Sequence, residues 1–210
     1  NSYFIKELSY SAFSAALPTE AGVFVIDFSS MGYTYFKEQN FGIAYGKTFG
    51  NKVAAGIKLD YLAYRMYEPY GTKNIFTFEG GIIGKLSINM SFAAHIFNPV
   101  QAKLNEYYDE RIATVFNTGL SYQFSEKVMA IAEVEKRTYT KANIKSAIEY
   151  RPVKMLYLRA GISTNPGTNS FGFGFVFDNL HVDLASAWHP VLGHSPQIGI
   201  YYVFAKSKKK

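Results

Sequence analysis

Phenylalanine occupies four alternate positions, Phe171, Phe173, Phe175 and Phe177, with Gly172, Gly174 and Val176 between them. A period of two belongs to an extended strand, whose side chains leave alternately on opposite faces. The same alternation sets Ile198, Ile200, Tyr202 and Phe204 against Gln197, Gly199, Tyr201 and Val203. It sets Leu156, Leu158, Ala160 and Ile162 against Tyr157, Arg159, Gly161 and Ser163, and Leu180, Val182 and Leu184 against His181 and Asp183. Helical periodicity is scarce, so the chain reads as all-β.

Thirteen strands are expected, at 3–16, 21–36, 40–48, 52–66, 74–86, 88–98, 111–124, 127–137, 141–151, 154–163, 169–177, 180–188 and 195–205. Short turns at Gly50-Asn51, Leu86-Ser87, Ser125-Glu126, Pro152-Val153 and Asp178-Asn179 alternate with longer links at 67–73, 99–110, 138–140, 164–168 and 189–194. This is the rhythm of an antiparallel up-and-down meander. No linker or shift of composition divides it, so residues 1–210 read as a single barrel domain.

One face of these strands is apolar and aromatic; the other carries small residues and isolated charges. Collected over all strands, the second face holds Asp27, Lys58, Asp60, Glu79, Lys85, His95, Glu133, Glu135, Lys145, Glu149, Arg159, His181 and Asp183. A soluble sandwich hides its apolar face and shows water a face rich in Lys, Glu and Thr. A barrel in lipid does the reverse, with an apolar exterior and a polar lumen. The aromatic content of 17% against 18% charged residues favours the membrane barrel. Tyr45, Tyr61, Tyr122, Phe124, Tyr150, Trp188, Tyr202 and Phe204 stand where interfacial girdles would lie. On the lumenal face Lys58, Lys85, Lys145 and Arg159 are expected to neutralise the acids, leaving a filled or narrow interior.

Several chemistries are excluded or unsupported. With no cysteine there is no disulfide, thiolate metal site or cysteine nucleophile. No run of 18 apolar residues would make a spanning helix. Of the net charge of +6, four units sit in the tail at Lys206, Lys208, Lys209 and Lys210, and the remaining +2 calls for no nucleic-acid partner. Gly46-Lys47-Thr48 lacks the spacing and the following helix of a phosphate loop. His189 and His194 flank a turn without an intervening carboxylate, so no metal is expected. His95, His181 and Asp183 lack a serine on a nucleophile elbow, and the chain reads as a non-enzyme with no cofactor.

The segments Leu8–Tyr10 through Ala16–Pro18, Phe41–Gly46, Phe97-Asn98-Pro99, Arg159–Ser163 and His189–Pro196 resemble the PorV/PorQ-like branch of the FadL outer-membrane family. The resemblance covers nearly the whole chain but rests on turns and strand patterns. It implies a fourteen-stranded barrel with an N-terminal plug. Thirteen visible strands are odd for a bacterial barrel, so the plug and a first strand are expected to precede Asn1. The resemblance further implies the outer membrane of a Gram-negative bacterium, lipid and other envelope proteins as partners, and a role as accessory subunit in secretion or assembly. Its FadL side implies the alternative, a transporter of small hydrophobic molecules.

Overall fold

The computed structural model describes residues 2–67, 71–105 and 110–204. After two short 3-10 turns at Ser2–Phe4 and Lys6–Leu8 come β1 (Tyr10–Pro18), β2 (Val23–Gly32), β3 (Phe36–Phe49), β4 (Val53–Met66), β5 (Thr72–Lys85) and β6 (Met90–Phe97). A small hairpin, β7 (Lys103–Asn105) and β8 (Glu110–Arg111), follows. The second half runs through β9 (Val115–Ser125), β10 (Val128–Arg137), β11 (Asn143–Val153), β12 (Leu156–Thr164), β13 (Gly167–Phe177), β14 (Leu180–His189) and β15 (Gly193–Tyr202).

Thirteen of these strands form one antiparallel sheet in chain order, from β1 to β6 and then from β9 to β15. The hairpin stands apart as a two-stranded sheet. The all-β up-and-down meander is therefore present with the expected number of strands. The sheet is not closed by a ladder between β1 and β15, which point the same way because their number is odd. At one end the leading segment reaches across, where the Tyr3 amide donates to Ser195 Oγ at 3.2 Å and the Tyr3 ring meets His189 edge-on at 6.2 Å.

Several boundaries differ from expectation, among them the end of β2 at Gly32 rather than residue 36, the start of β3 at Phe36 rather than residue 40 and the start of β9 at Val115 rather than residue 111. The first strand begins at Tyr10 rather than residue 3, because Tyr3 and Phe4 take positive φ values of 56° and 59°, which end extended structure. The 99–110 link contains the β7–β8 hairpin. The turn expected at Pro152-Val153 falls two residues later, at Lys154-Met155, since β11 runs on to Val153 through a register shift after Tyr150. Proline lacks an N–H and is tolerated where a ladder is interrupted in this way. The last strand stops at Tyr202, and residue 205 and the lysine tail lie outside the described residues.

Exposure identifies the inner face. Phe76, Ile57, Ile198, Ile200, Ile162 and Phe171 are 60–70% exposed, all on the apolar side of their strands. Leu62 and Ile75, the buried hydrophobic residues among those described, face the other way. They are joined there by Asp60 at 0% and Thr77 at 2% exposure. Leu62 pairs with Ile75 and Asp60 with Thr77 across β4 and β5, so these four share one face. Polar groups enclosed and aromatics displayed is the reverse of a water-soluble β-protein.

Candidate functional site

The inner face is organised by register. Asp27 stands opposite Gly42 and Gly42 opposite Asp60, while Lys58 stands opposite Glu79. Gly42 is required by the close approach, because a Cβ there would overlap Lys58 Cε and the Asp27 carboxylate. In the space it leaves, Lys58 Nζ lies 3.1 Å from Asp27 Oδ1, 2.9 Å from Asp60 Oδ1 and 3.1 Å from Glu79 Oε1. The ammonium donates a hydrogen bond to Glu79 and is ion-paired with the other two carboxylates. Asn40 Nδ2 donates to Asp60 Oδ1 at 2.9 Å, and His95 Nε2 lies 2.7 Å from Glu79 Oε2. Asp60 Oδ2 and Asn40 Oδ1 are buried without a hydrogen-bond partner.

Above this cluster, toward the short turns, is a cavity of about 740 Å³. Its inner-face walls combine small residues, Ala44, Gly46, Ala54, Gly56, Gly81 and Ala93, with the aliphatic Val23, Val25 and Ile83, and Lys58, Glu79 and His95 form its polar floor. The room exists because these strands carry glycine and alanine where others carry large side chains. An apolar cavity with a few convergent polar groups is the usual form of a small-molecule site.

The other side of the cluster is sealed by the β6–β9 connection. Asn98, with φ of 50° and 0% exposure, begins it. Asparagine tolerates this left-handed conformation better than most residues. Its Oδ1 accepts from Thr77 Oγ1 at 2.8 Å and from the Ala102 amide at 3.0 Å, and its Nδ2 donates to the Ile112 carbonyl at 2.7 Å. Thr114 Oγ1 donates to the Asn98 carbonyl at 2.7 Å. This latch holds the connection against β5, over Thr77 and Ile75.

The remaining charges form two further groups. Lys145 bridges Glu133 at 3.0 Å and Glu135 at 2.7 Å, with Arg137 also on Glu135 at 2.7 Å. Arg159 bridges Glu149 at 2.7 Å and Asp183 at 2.5 Å. A second cavity of about 1020 Å³ is lined by Glu133, Glu135, Arg137 and Lys145.

Of the sequence-derived set, Asp27, Lys58, Asp60, Glu79 and His95 thus meet in one cluster, Glu133, Glu135 and Lys145 in a second, and Glu149, Arg159 and Asp183 in a third. Two members stand apart. His181 stacks on Tyr201 at 4.1 Å, with its Nδ1 2.6 Å from the Tyr201 hydroxyl. Lys85 ends β5 beside the turn to β6, exposed and with no ion pair recorded among the described residues, so it neutralises none of the acids as expected. Its distance from the mid-strand carboxylates is the reason.

Asn40, Asn98, Thr77 and Gly42 are the members that sequence reasoning missed. The charge inventory passes over neutral residues, and only Gly42 in Phe41–Gly46 and Asn98 in Phe97-Asn98-Pro99 fell within segments that carried the resemblance. His189 Nδ1 accepts the Val191 and Leu192 amides at 3.2 Å and caps its own turn, while His194 pairs with Ser186. Among the described residues no group of three His, Asp or Glu is placed to hold a metal, and no helix is long and apolar enough to cross a membrane, which says nothing of a β-barrel.

Comparison with known protein families finds no match, and no curated protein is similar in sequence. Solved structures do match. The toluene transporter TodX of Pseudomonas putida superposes with a TM-score of 0.62 at 11% identity, over 90% of this chain and 80% of that one. A deletion variant, described as the TodX deltaS2S3 mutant monoaromatic hydrocarbon channel, gives a TM-score of 0.58 at 11% identity, over 91% of this chain and 76% of that one. At this identity the likeness is one of architecture: the chain has a FadL-like antiparallel barrel fold.

Proposed function

We propose that this chain is an outer-membrane channel of a Gram-negative bacterium for small hydrophobic molecules, without enzymatic activity. The observation that carries the proposal is the cavity of about 740 Å³ on the inner face, walled by alanine, glycine, valine and isoleucine and large enough for a compact apolar solute. The exposed aromatic and aliphatic outer face supports a lipid setting, since a contiguous apolar surface of this extent in water would drive association. The neighbours in fold are described as a transporter of toluene and a monoaromatic hydrocarbon channel, which agrees with the cavity. The accessory-subunit role that the PorV-like resemblance implied has no counterpart among them.

The test is uptake. Gram-negative cells producing the full-length protein are expected to take up a labelled neutral monoaromatic several-fold faster than vector controls. An Ala93→Phe variant, which fills the cavity, should lose that gain while still assembling into the membrane. Equal initial rates with and without the protein would overturn the proposal.

A further inference from the structure

On the cavity floor Lys58 and Glu79 balance, but Asp27 and Asp60, which do not line the cavity, stand directly behind them. Asp27, Asp60 and Glu79 surround the single ammonium of Lys58. With His95 neutral this leaves two negative charges uncompensated, and with His95 protonated it leaves one. At the rim Glu20 and Lys47 cancel. With all three carboxyls ionised, the cluster behind and at the floor is therefore negative in either state of the histidine.

Lys58 is a poor partner for an incoming anion, because three carboxylates already lie within 3.1 Å of its ammonium. It is also only 20% exposed. Glu79, by contrast, lines the cavity and holds acceptor capacity beyond the contacts from Lys58 and His95, since each carboxylate oxygen has two lone pairs. An ammonium arriving from the cavity would find an acceptor and a favourable field. A carboxylate would find neither.

We propose, resting on the hydrophobic-channel reading above, that this cavity selects compact apolar molecules bearing one protonated amine over their carboxylate analogues. The apolar body lies among Ala44, Gly56 and Ala93, and the ammonium turns to Glu79. Charge, rather than size, is what distinguishes the two ligand classes at this floor.

The experiment compares three probes of similar size, 2-phenylethylamine, 3-phenylpropionate and propylbenzene, binding to the full-length protein in neutral detergent at fixed low ionic strength. The amine is expected to bind at least about tenfold more tightly than the carboxylate, in line with the cost of placing like charges together. Asp27→Asn removes one of the two excess charges and leaves Lys58 its bonds to Asp60 and Glu79, so it should narrow that ratio several-fold. Equal affinities for amine and carboxylate, or a ratio that Asp27→Asn leaves unchanged, would overturn the proposal. Propylbenzene separates the two readings: if it binds while the charged pair is not distinguished, charge selection fails alone. If none of the three binds, the hydrophobic-channel reading fails and this one with it.

Discussion

The two halves of the inner face use the same chemistry in different surroundings. In the first half three acids crowd one lysine, with side-chain exposures of 20% for Lys58, 23% for Asp27, 0% for Asp60 and 19% for Glu79. In the second half the cations are more open, at 39% for Lys145 and 41% for Arg159, and their acids range from 13% for Glu135 and 23% for Glu149 to 36% for Glu133 and Asp183. There Arg137, Lys145 and Arg159 face Glu133, Glu135, Glu149 and Asp183, close to balance. A charge pair in water contributes little, whereas a buried charge that loses its partner is costly. The latch at Asn98 makes the difference, by folding the β6–β9 connection over one half and not the other.

Removing Lys58 breaks the comparison hardest. Lys58→Met would leave Asp27, Asp60 and Glu79 facing one another without a cation, and the expected loss is about 3–5 kcal/mol, the usual cost of stranding a buried charge. Urea unfolding in detergent micelles measures it. Adding Asp60→Asn should recover part of the loss, because it removes the most enclosed of the three carboxylates. A single variant as stable as the parent would show that the first half is as open to water as the second.

How much of this was legible in the sequence follows from what alternation can carry. A period of two assigns residues to faces without knowledge of the neighbouring strand, so the phenylalanines of β13 and the charges of β4 could be sorted by reading alone. Which charges meet depends on register, and the turns set register to within a residue or two that reading does not fix. The sequence therefore yielded a set of thirteen polar residues but not its division into clusters, nor the isolation of Lys85 and His181. Burial was hidden further still. Asp60 and Asp183 look alike in their strands, and the Asn98 contacts to Thr77, Ala102, Ile112 and Thr114, which enclose the neighbourhood of Asp60, have no sequence signature.

Two glycines on that same face sharpen the contrast at smaller cost. At Gly42 a Cβ would lie 2.5 Å from Asp27 Oδ2 and overlap Lys58 Cε, atoms fixed by the cluster. At Gly174 it would lie 2.7 Å from Asp183 Oδ1 and 3.3 Å from Arg159 Nη1, the far ends of side chains with water beside them. Gly42→Ala is expected to cost about 1–3 kcal/mol, the range for overpacking, because displacing Lys58 or Asp27 breaks their ion pairs. Gly174→Ala should cost less than half as much in the same unfolding measurement. Equal losses would mean that the second half is packed as firmly as the first.

The smallest effect is expected at Arg159. Its partners Glu149 and Asp183 are 23% and 36% exposed, so both can be rehydrated when the guanidinium is removed. Arg159 also lies 5.4 Å from the Tyr157 ring centroid, but Arg151 already sits over the same ring at 4.8 Å and would remain. Arg159→Met should therefore cost no more than about 1 kcal/mol, as exposed pairs do, and raising the salt should reduce even that difference. The charge is the same size as that of Lys58 and it too bridges two strands, so chemistry alone would rank the two substitutions equal. If unfolding in micelles did rank them equal, the dry and wet halves would be indistinguishable in energy, and the Asn98 latch would have no role in separating them.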